Sequence, residues 1–228
     1  MILTLTNTAR TGREVDQLRV LALRMGGLAE GILDKSLRAV WNRDERLAAE
    51  VIDDDVEIDR IDVEIDAAVL SVLALRAPVA SDLRQTLAIK TMATDLERVG
   101  DLSRNIANSA GRMAERSSNT PPPRLRALAD DSRRSLSRAL QSFADLDVDL
   151  ARTVLDHDDE IDAAEGEVIR DAIGRIHTDP GAAYQEIDLI FIAKNLERVA
   201  DHATNIAEEV VLAAESVNLK HAAKLART

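Results

Sequence analysis

The sequence predicts an all-α fold made of two pseudo-symmetric antiparallel three-helix bundles, six helices in total. Three observations support this fold class. Aromatic residues make up only 2% of the 228 residues, and Gly and Pro are scarce, whereas good helix formers dominate. The Pro-rich stretch SSNTPPP interrupts the chain near its middle. The segments before and after this stretch resemble each other, so the two halves are expected to fold alike.

The internal repeat is clearest in two short motifs, DLERVGD at residues 95–101 and NLERVAD at residues 195–201. A shift of 100 residues superposes them, together with the Asn that follows each motif four residues later. Upstream, a shift of 103 superposes VIDDDVEID on VLDHDDEID. The difference falls between these blocks, where the first half carries RAPVASD and the second carries HTDPG. Because insertions collect in loops, the halves share one plan and differ in a connection.

Proline and turn residues divide each half into three helical segments. Ser81 precedes a run of good helix formers, and Asp179 precedes Pro180, an arrangement typical of a helix start. The predicted helices cover residues 13–41, 44–76, 81–114, 124–143, 147–176 and 181–217.

The domain organisation follows from these helices and from the interruption between them. We expect four segments: a first bundle over residues 12–116, a Pro-rich linker over 117–123, a second bundle over 124–217 and a basic tail over 218–228. Trp41 is expected to pack at the end of a bundle.

Composition excludes several functional classes. The net charge of −12 disfavours direct binding to nucleic acid, which requires a cationic surface, and favours cations or basic proteins as partners. The chain has no Cys, so it forms neither disulfides nor thiolate metal sites. No apolar run approaches the roughly 20 residues that span a bilayer. We therefore expect a cytoplasmic protein that does not insert into the membrane directly.

An acidic stripe runs along the third helix of each half. Helical geometry, at about 100° per residue, places Glu97, Asp101 and Asn105 beside an apolar arc, and Glu197 and Asp201 in the same way. Residues four apart on a helix have Cβ atoms roughly 6 Å apart. Each Glu–Asp pair can therefore hold one cation.

A second set of acids forms a row on the middle helix of each half. Its spacing, with flanking apolar residues such as Ile52, Val63 and Leu70, predicts that the row runs along the middle of the apolar face. Like charges in such a position repel and lose hydration, so a cation should meet them. The row comprises Asp55, Asp59, Asp62 and Asp66 in the first half, and Asp158, Asp162 and Glu165 in the second.

Two kinds of cation can meet these rows. One is a basic side chain from a neighbouring helix, and Arg98 and Arg198 are the candidates because both are repeated. The other is a metal ion. Oxygen-only ligands favour Mg²⁺, Ca²⁺, Mn²⁺ or iron over zinc and copper. A ferritin-type di-iron site is disfavoured because no His follows a Glu at the required spacing, and His202 is expected at the surface.

At this point the chain resembles a known family. The runs PVASDLRQTLAIKTMATDLERVGD and IDLIFIAKNLERVADHATNIAEEVV are similar to those of PhoU, the phosphate transport system regulatory family. The resemblance covers about residues 12–216. It implies two three-helix bundles related by pseudo-twofold symmetry, commonly assembled as a homodimer.

The resemblance also implies a function. Members act as negative regulators of phosphate uptake and of the phosphate-starvation response, through contacts with the transporter ATP-binding subunit (PstB) and a sensor histidine kinase (PhoR). Repeated E(D)xxxD motifs bind metal clusters in some members. Those motifs map here onto Glu97 with Asp101 and Glu197 with Asp201, and the pairs Asp55 with Asp59 and Asp158 with Asp162 fit the same formula.

Three functional hypotheses remain open on the sequence. The first is a non-enzymatic regulatory adaptor with metal-loaded acidic patches. The second is a metal-dependent phosphohydrolase, although the sequence offers no general base distinct from the ligands. The third is a structural bundle whose acids are balanced by salt bridges. The position that is Asp95 in one half and Asn195 in the other is where two related cation sites should first differ.

Overall fold

The computed structural model describes residues 2–116 and 120–219, with side chains for residues 10–115 and 120–219. The described chain is helical almost throughout and contains no strand. Its helices are α1 (Ile2–Asn42), α2 (Glu45–Arg76), α3 (Ala80–Arg116), α4 (Pro123–Asp145), α5 (Val148–Leu155), α6 (Asp158–Thr178) and α7 (Ala183–Glu215), with a short 3₁₀ turn at Pro180–Ala182. The all-α prediction of six antiparallel helical passes is confirmed, with α5 and α6 together forming the fifth.

Equivalent caps link the first and second helices of each half. Asp44 accepts a hydrogen bond from the backbone N–H of Leu47, and Asp147 accepts one from Leu150, 103 residues further on. The residue before each cap adopts a left-handed backbone, with φ of 53° at Arg43 and 52° at Leu146. This reverses the chain tightly, so consecutive helices become antiparallel neighbours.

The predicted start of the first helix was wrong, because the helix begins at Ile2 rather than residue 13. The other five predicted starts agree within about two residues, and α3 begins at Ala80, one residue before Ser81. Asp179 does cap the chain beside Pro180, accepting from the Gly181 N–H, but it caps the short 3₁₀ turn that precedes α7. Residues 117–119 of the predicted linker and residues 220–228 of the basic tail lie outside the described residues, and Pro123, the last linker residue, already belongs to α4.

The fifth predicted helix is interrupted, which the sequence did not indicate. The His157 N–H bonds to the carbonyl of Val154, three residues back, so the regular four-residue ladder is lost between α5 and α6. Asp54 occupies the equivalent position in the first half. Its carboxylate lies 2.5 Å from the ammonium of Lys35 on α1, and α2 continues without a break.

The core lies between the three helices of each half and continues through the contact of α3 with α7. Leu96, Val99 and Ile106 on α3 are fully buried, and so are Leu196, Val199 and Ile206 at the repeat positions of α7. Trp41 packs against the core with the Arg126 guanidinium 4.6 Å from its ring centroid, as expected for a bundle end. No helix in the described residues is both long and apolar enough to cross a bilayer.

Candidate metal centre

Three carboxylates converge where α6 packs against α7. One oxygen from each of Asp162, Glu197 and Asp201 lies within 4.8 Å of the others. Glu197 and Asp201 are one helical turn apart on α7, and Asp162 reaches them from the acid row of α6. No other trio of His, Cys, Asp or Glu in the described part of the chain meets this distance.

The negative charges of these three carboxylates repel one another, so a proton or a bound cation is favoured there. Burial, followed by the charges of Asp201, Asp162 and Glu165, raises the pKa of Glu197 to about 7, against the lowering effect of Lys194. Burial and the neighbouring carboxylates also raise the pKa values of Asp162 and Asp201. Because each anionic charge opposes the next, a proton or a cation at this point relieves the repulsion.

The other two predicted ligands of the second half already have partners. Thr204 donates a hydrogen bond of 3.0 Å to the Asp158 carboxylate. The Lys194 ammonium lies 2.5 Å from Glu165. These contacts leave the trio as the place in this half where carboxylate charge accumulates.

The first half has the same acids, but a built-in cation sits among them. The Arg104 guanidinium lies 2.9 Å from Asp55 and 2.5 Å from Asp101, bridging α2 and α3. Asp55 is only 3% exposed, and burial raises its pKa while Arg104 lowers it. The repeat counterpart of Arg104 is Thr204, which carries no charge. The two halves therefore differ in the group that meets their acids.

The remaining acids of the first half are also dispersed or paired. Lys90 lies 2.5 Å from Asp66 and 3.7 Å from Asp62, while Asp59 is exposed. Burial, followed by the charge of Asp101, raises the pKa of Glu97, so this carboxylate stands in the same kind of environment as Glu197.

The basic partners of the acid rows are not those expected. Arg98 contacts Glu97 at 3.3 Å and Asp101 at 3.5 Å, both on its own helix, instead of reaching the row of α2. The cations that do reach the rows are Lys90, Arg104 and Lys194. One signal could have identified Arg104: it follows Asp101 by three residues, on the same face of the helix.

The acid row of α2 lies at the edge of the buried face, not along its middle. Asp55 is buried, but the expected apolar flank is exposed: 42% at Ile52, 69% at Val63 and 67% at Leu70. The other flank, represented by Ile58, is fully buried. A row at this boundary can be reached by side chains and ions from solvent, which lowers its desolvation cost.

The position that differs between the repeats faces the interface of the two halves. Asp95 accepts from the Asn205 amide at 3.2 Å and lies 2.8 Å from Nδ1 of His202. Its counterpart Asn195 instead donates to the carbonyl of Phe191 on its own helix. The expectation that His202 lies at the surface was wrong, because its side chain is largely buried against Asp95.

The trio suits a hard cation. Three carboxylate oxygens are the donors preferred by Mg²⁺, Ca²⁺, Mn²⁺ and iron ions, and no protein cation bridges all three in the described residues. Asp162, Glu197 and Asp201 are therefore the residues that fit a bound metal ion.

Comparison with known proteins agrees with the duplicated fold. The model of the PhoU domain family matches twice, at residues 22–110 and 125–210. Proteins described as phosphate-specific transport system accessory protein PhoU homologs are similar over most of their length. The relative in Zymomonas mobilis is 36% identical over 197 residues, covering 86% of this chain and 83% of that protein. The Rhizobium meliloti relative is 37% identical over 201 residues, covering 86% and 84%.

Solved structures show the same architecture. The crystal structure of PhoU from Pseudomonas aeruginosa superposes with a TM-score of 0.87 and 31% identity, covering 90% of this chain and 99% of that one. The phosphate transport system regulatory protein PhoU from Streptococcus pneumoniae superposes with a TM-score of 0.84 and 25% identity, covering 92% and 99%. With both halves matched by the same domain and relatives similar throughout, this chain belongs to the PhoU family.

Proposed function

We propose that this protein is a negative regulator of phosphate uptake and of phosphate-starvation signalling. In this proposal it is a non-enzymatic, metal-binding adaptor between the ATP-binding subunit of the phosphate transporter and a sensor histidine kinase. Membership of the PhoU family carries the proposal, because its relatives are described as accessory proteins of phosphate-specific transport. Its cytoplasmic location and its assembly as a homodimer are part of the same proposal.

The carboxylate trio supplies the metal-binding part of the proposal. Asp162, Glu197 and Asp201 would hold a hard divalent or trivalent cation between α6 and α7. A bound cation would supply positive charge where three acids repel one another. The two helices would then be held in one relative position, which makes the surface beside them better defined for a partner. The arrangement supports a structural and regulatory role for the ion.

Metal binding is tested directly by calorimetry on protein purified with chelator and then titrated with Mn²⁺ or Mg²⁺. Glu197→Gln removes a charge from the trio and should weaken binding at least tenfold. Glu97→Gln is the matched control, since it makes the same change at the repeat position and should leave this binding within twofold. Equal loss in both variants, or no binding by the unmodified protein, would contradict the metal part of the proposal.

Regulation is tested with a phosphate-starvation reporter in a strain that lacks its own copy of the gene. The unmodified protein should restore repression in phosphate-rich medium. If the ion shapes the contact surface, Glu197→Gln should repress less well, with reduced capture of the transporter subunit and the kinase. Full repression by that variant would show that the acids of the trio serve only the structure of the bundle and not its regulatory contacts. Failure of the unmodified protein to repress would refute the regulatory role itself.

A further inference from the structure

A cleft of about 700 Å³ opens between α3 and α7. Along its α7 wall, three large apolar side chains face solvent: Tyr184 is 73% exposed, Ile187 is 43% exposed and Phe191 is 54% exposed. The chain has only four aromatic residues, and two of them, Tyr184 and Phe191, are exposed in this cleft. Exposed aromatic side chains in a cleft are typical of protein contact surfaces.

The cleft is also basic in a strongly acidic protein. Arg112, Lys194 and Arg198 line it, whereas Asp188 is its one acidic lining residue among those described. The Lys194 ammonium also contacts Glu165, which lies outside the lining. Asp188 is buried and holds the Arg112 guanidinium at 2.6 Å, and Ser109 accepts from Arg112 at 2.8 Å. The Arg112 head is therefore positioned before any ligand arrives, which reduces the entropy lost on binding.

The internal repeat offers a built-in comparison for this cleft. Because α3 and α7 pack as antiparallel repeat partners, the equivalent surface lies at the other end of their contact. There Tyr184, Phe191, Lys194 and Arg112 correspond to Arg84, Thr91, Thr94 and Leu212, and Asn108 and Ser109 correspond to Glu208 and Glu209, whereas Ile187 and Arg198 correspond to the similar residues Leu87 and Arg98. The two exposed aromatic side chains, Lys194 and Arg112 are therefore specific to one end and are not required by the helix packing.

The shape of the surface indicates the kind of partner. Tyr184, Ile187 and Phe191 follow the spacing of one helix face, and Lys194 and Arg198 continue it. From residue 184 to residue 198 the surface extends about 21 Å, at roughly 1.5 Å per residue. It is apolar at one end and cationic at the other. A compact small anion would use only the cationic end, whereas a helix of about 15 residues would use both.

We propose that this cleft binds an amphipathic helix of a partner protein, with apolar side chains on its first turns and acidic side chains on its last turns. The apolar face would cover Tyr184, Ile187 and Phe191. Its carboxylates would pair with Arg198, which is exposed. They would also contact the remaining N–H donors of Lys194 and Arg112, whose charges Glu165 and Asp188 partly balance. This inference deepens the proposed adaptor role and rests on it for the existence of a partner, but it needs neither the metal ion nor the acidic trio.

The test uses a synthetic 15-residue fluorescein-labelled helix with Leu along one face of its first two turns and Glu along the same face of its last two. Fluorescence anisotropy is measured in the presence of chelator, so that metal binding plays no part. We expect saturable binding that weakens as salt increases. A peptide with Lys in place of the Glu residues should bind at least tenfold more weakly.

Variants locate the binding surface. Phe191→Thr introduces the residue found at the repeat position and should weaken binding at least tenfold, and Arg198→Gln should weaken it about fivefold and reduce its salt dependence. Thr91→Ala, at the opposite end, should leave binding within twofold. Since all three side chains lie wholly or partly at the surface, unfolding curves should stay close to that of the unmodified protein, which separates lost binding from lost structure.

Several outcomes would overturn the proposal. They are absence of saturable binding, equal binding of the Lys peptide, equal affinity of Phe191→Thr, or complete displacement of the peptide by millimolar inorganic phosphate. The last result would identify a small-anion site instead. Hydrogen-exchange protection by the peptide should fall on residues 184–198 and 105–112. Protection confined to the opposite end of the α3–α7 contact would also refute the assignment. The reporter assay of the regulatory role is independent of these measurements.

Discussion

Exchanging the residues at positions 104 and 204 should exchange the cation that each half uses. Arg104 bridges Asp55 and Asp101 in the first half, while its repeat counterpart Thr204 donates to Asp158 in the second. In Arg104→Thr, the first half loses its resident cation. In Thr204→Arg, the second half gains one beside the trio.

The magnitude of the first change follows from the burial of the pair. Removing one partner of a buried ion pair costs about 3–5 kcal/mol. The Arg104 side chain is 40% exposed, so solvent screens the pair. Screening reduces the loss to about 2 kcal/mol. For a chain of this size, at about 2–4 °C per kcal/mol, the melting temperature should fall by about 4–8 °C.

Metal ions should then distinguish the variants. A ligand at 100 times its dissociation constant stabilises the folded state by about 2.7 kcal/mol, enough to offset the loss in Arg104→Thr. Calorimetry with Mn²⁺ should find one strong site in the unmodified protein, two in Arg104→Thr and none in Thr204→Arg. Scanning calorimetry should show that Mn²⁺ restores the melting temperature of Arg104→Thr.

Two results would refute this reasoning. If the unmodified protein binds two ions with equal affinity, Arg104 does not act as the cation of the first half. If Thr204→Arg binds Mn²⁺ as tightly as the unmodified protein, the guanidinium does not compete with metal, and the difference between the halves has another cause.

Three further predictions concern stability. In metal-free protein, the pKa of Glu197 is raised on folding from its ordinary value of 4.5 to about 7, so the folded state binds more protons between these pH values. This group should lower the free energy of unfolding by about 1–2 kcal/mol from pH 4.5 to pH 7. Urea titrations of Glu197→Gln should show a smaller slope, with the rest due to the raised pKa values of Asp162 and Asp201. Gly100→Ala should lower the free energy of unfolding by about 1–3 kcal/mol, because an added Cβ would lie 2.5 Å from a carboxylate oxygen of Asp55 on α2. The reverse change at the repeat position, Ala200→Gly, should cost about 1 kcal/mol in the same assay. Ile58→Ala should lower the free energy of unfolding by about 2–4 kcal/mol, because Ile58 is fully buried. Ile52→Ala should change it by no more than about 0.5 kcal/mol, because Ile52 is 42% exposed. A similar cost for both would contradict the assignment of the buried face of α2.

Much of the fold could be predicted from local features of the sequence. The two repeated blocks and the turn residues placed six helical passes close to where the structure has them. Caps such as Asp44 and Asp147 act within a few residues of their own position, so their effect is visible in the sequence alone. The break between α5 and α6 could not be anticipated, because it involves a shift of one backbone hydrogen bond at His157 that no residue pattern marks.

The candidate site could be predicted only in part. Periodicity identified which helix faces carry acids, and the three residues of the trio are among those identified. Their convergence is a different matter, because it depends on how α6 approaches α7. The contacts of Lys90 with Asp66 and of Arg104 with Asp55 were missed for the same reason, since helical spacing does not reveal which charges meet across two helices.

The sequence by itself determined that this protein is helical, duplicated and acidic, because helix propensity, periodicity and charge are properties of short segments. Only the tertiary structure decided which acids meet each other and which meet a cation. Residues 101 and 201 are the same acid in the same motif. Arg104 lies 2.5 Å from Asp101, while Asp201 stands beside Asp162 and Glu197 with Thr204 at the repeat position. Side-chain charges act over a few ångströms, so their consequences depend on packing between helices that lie far apart in the chain.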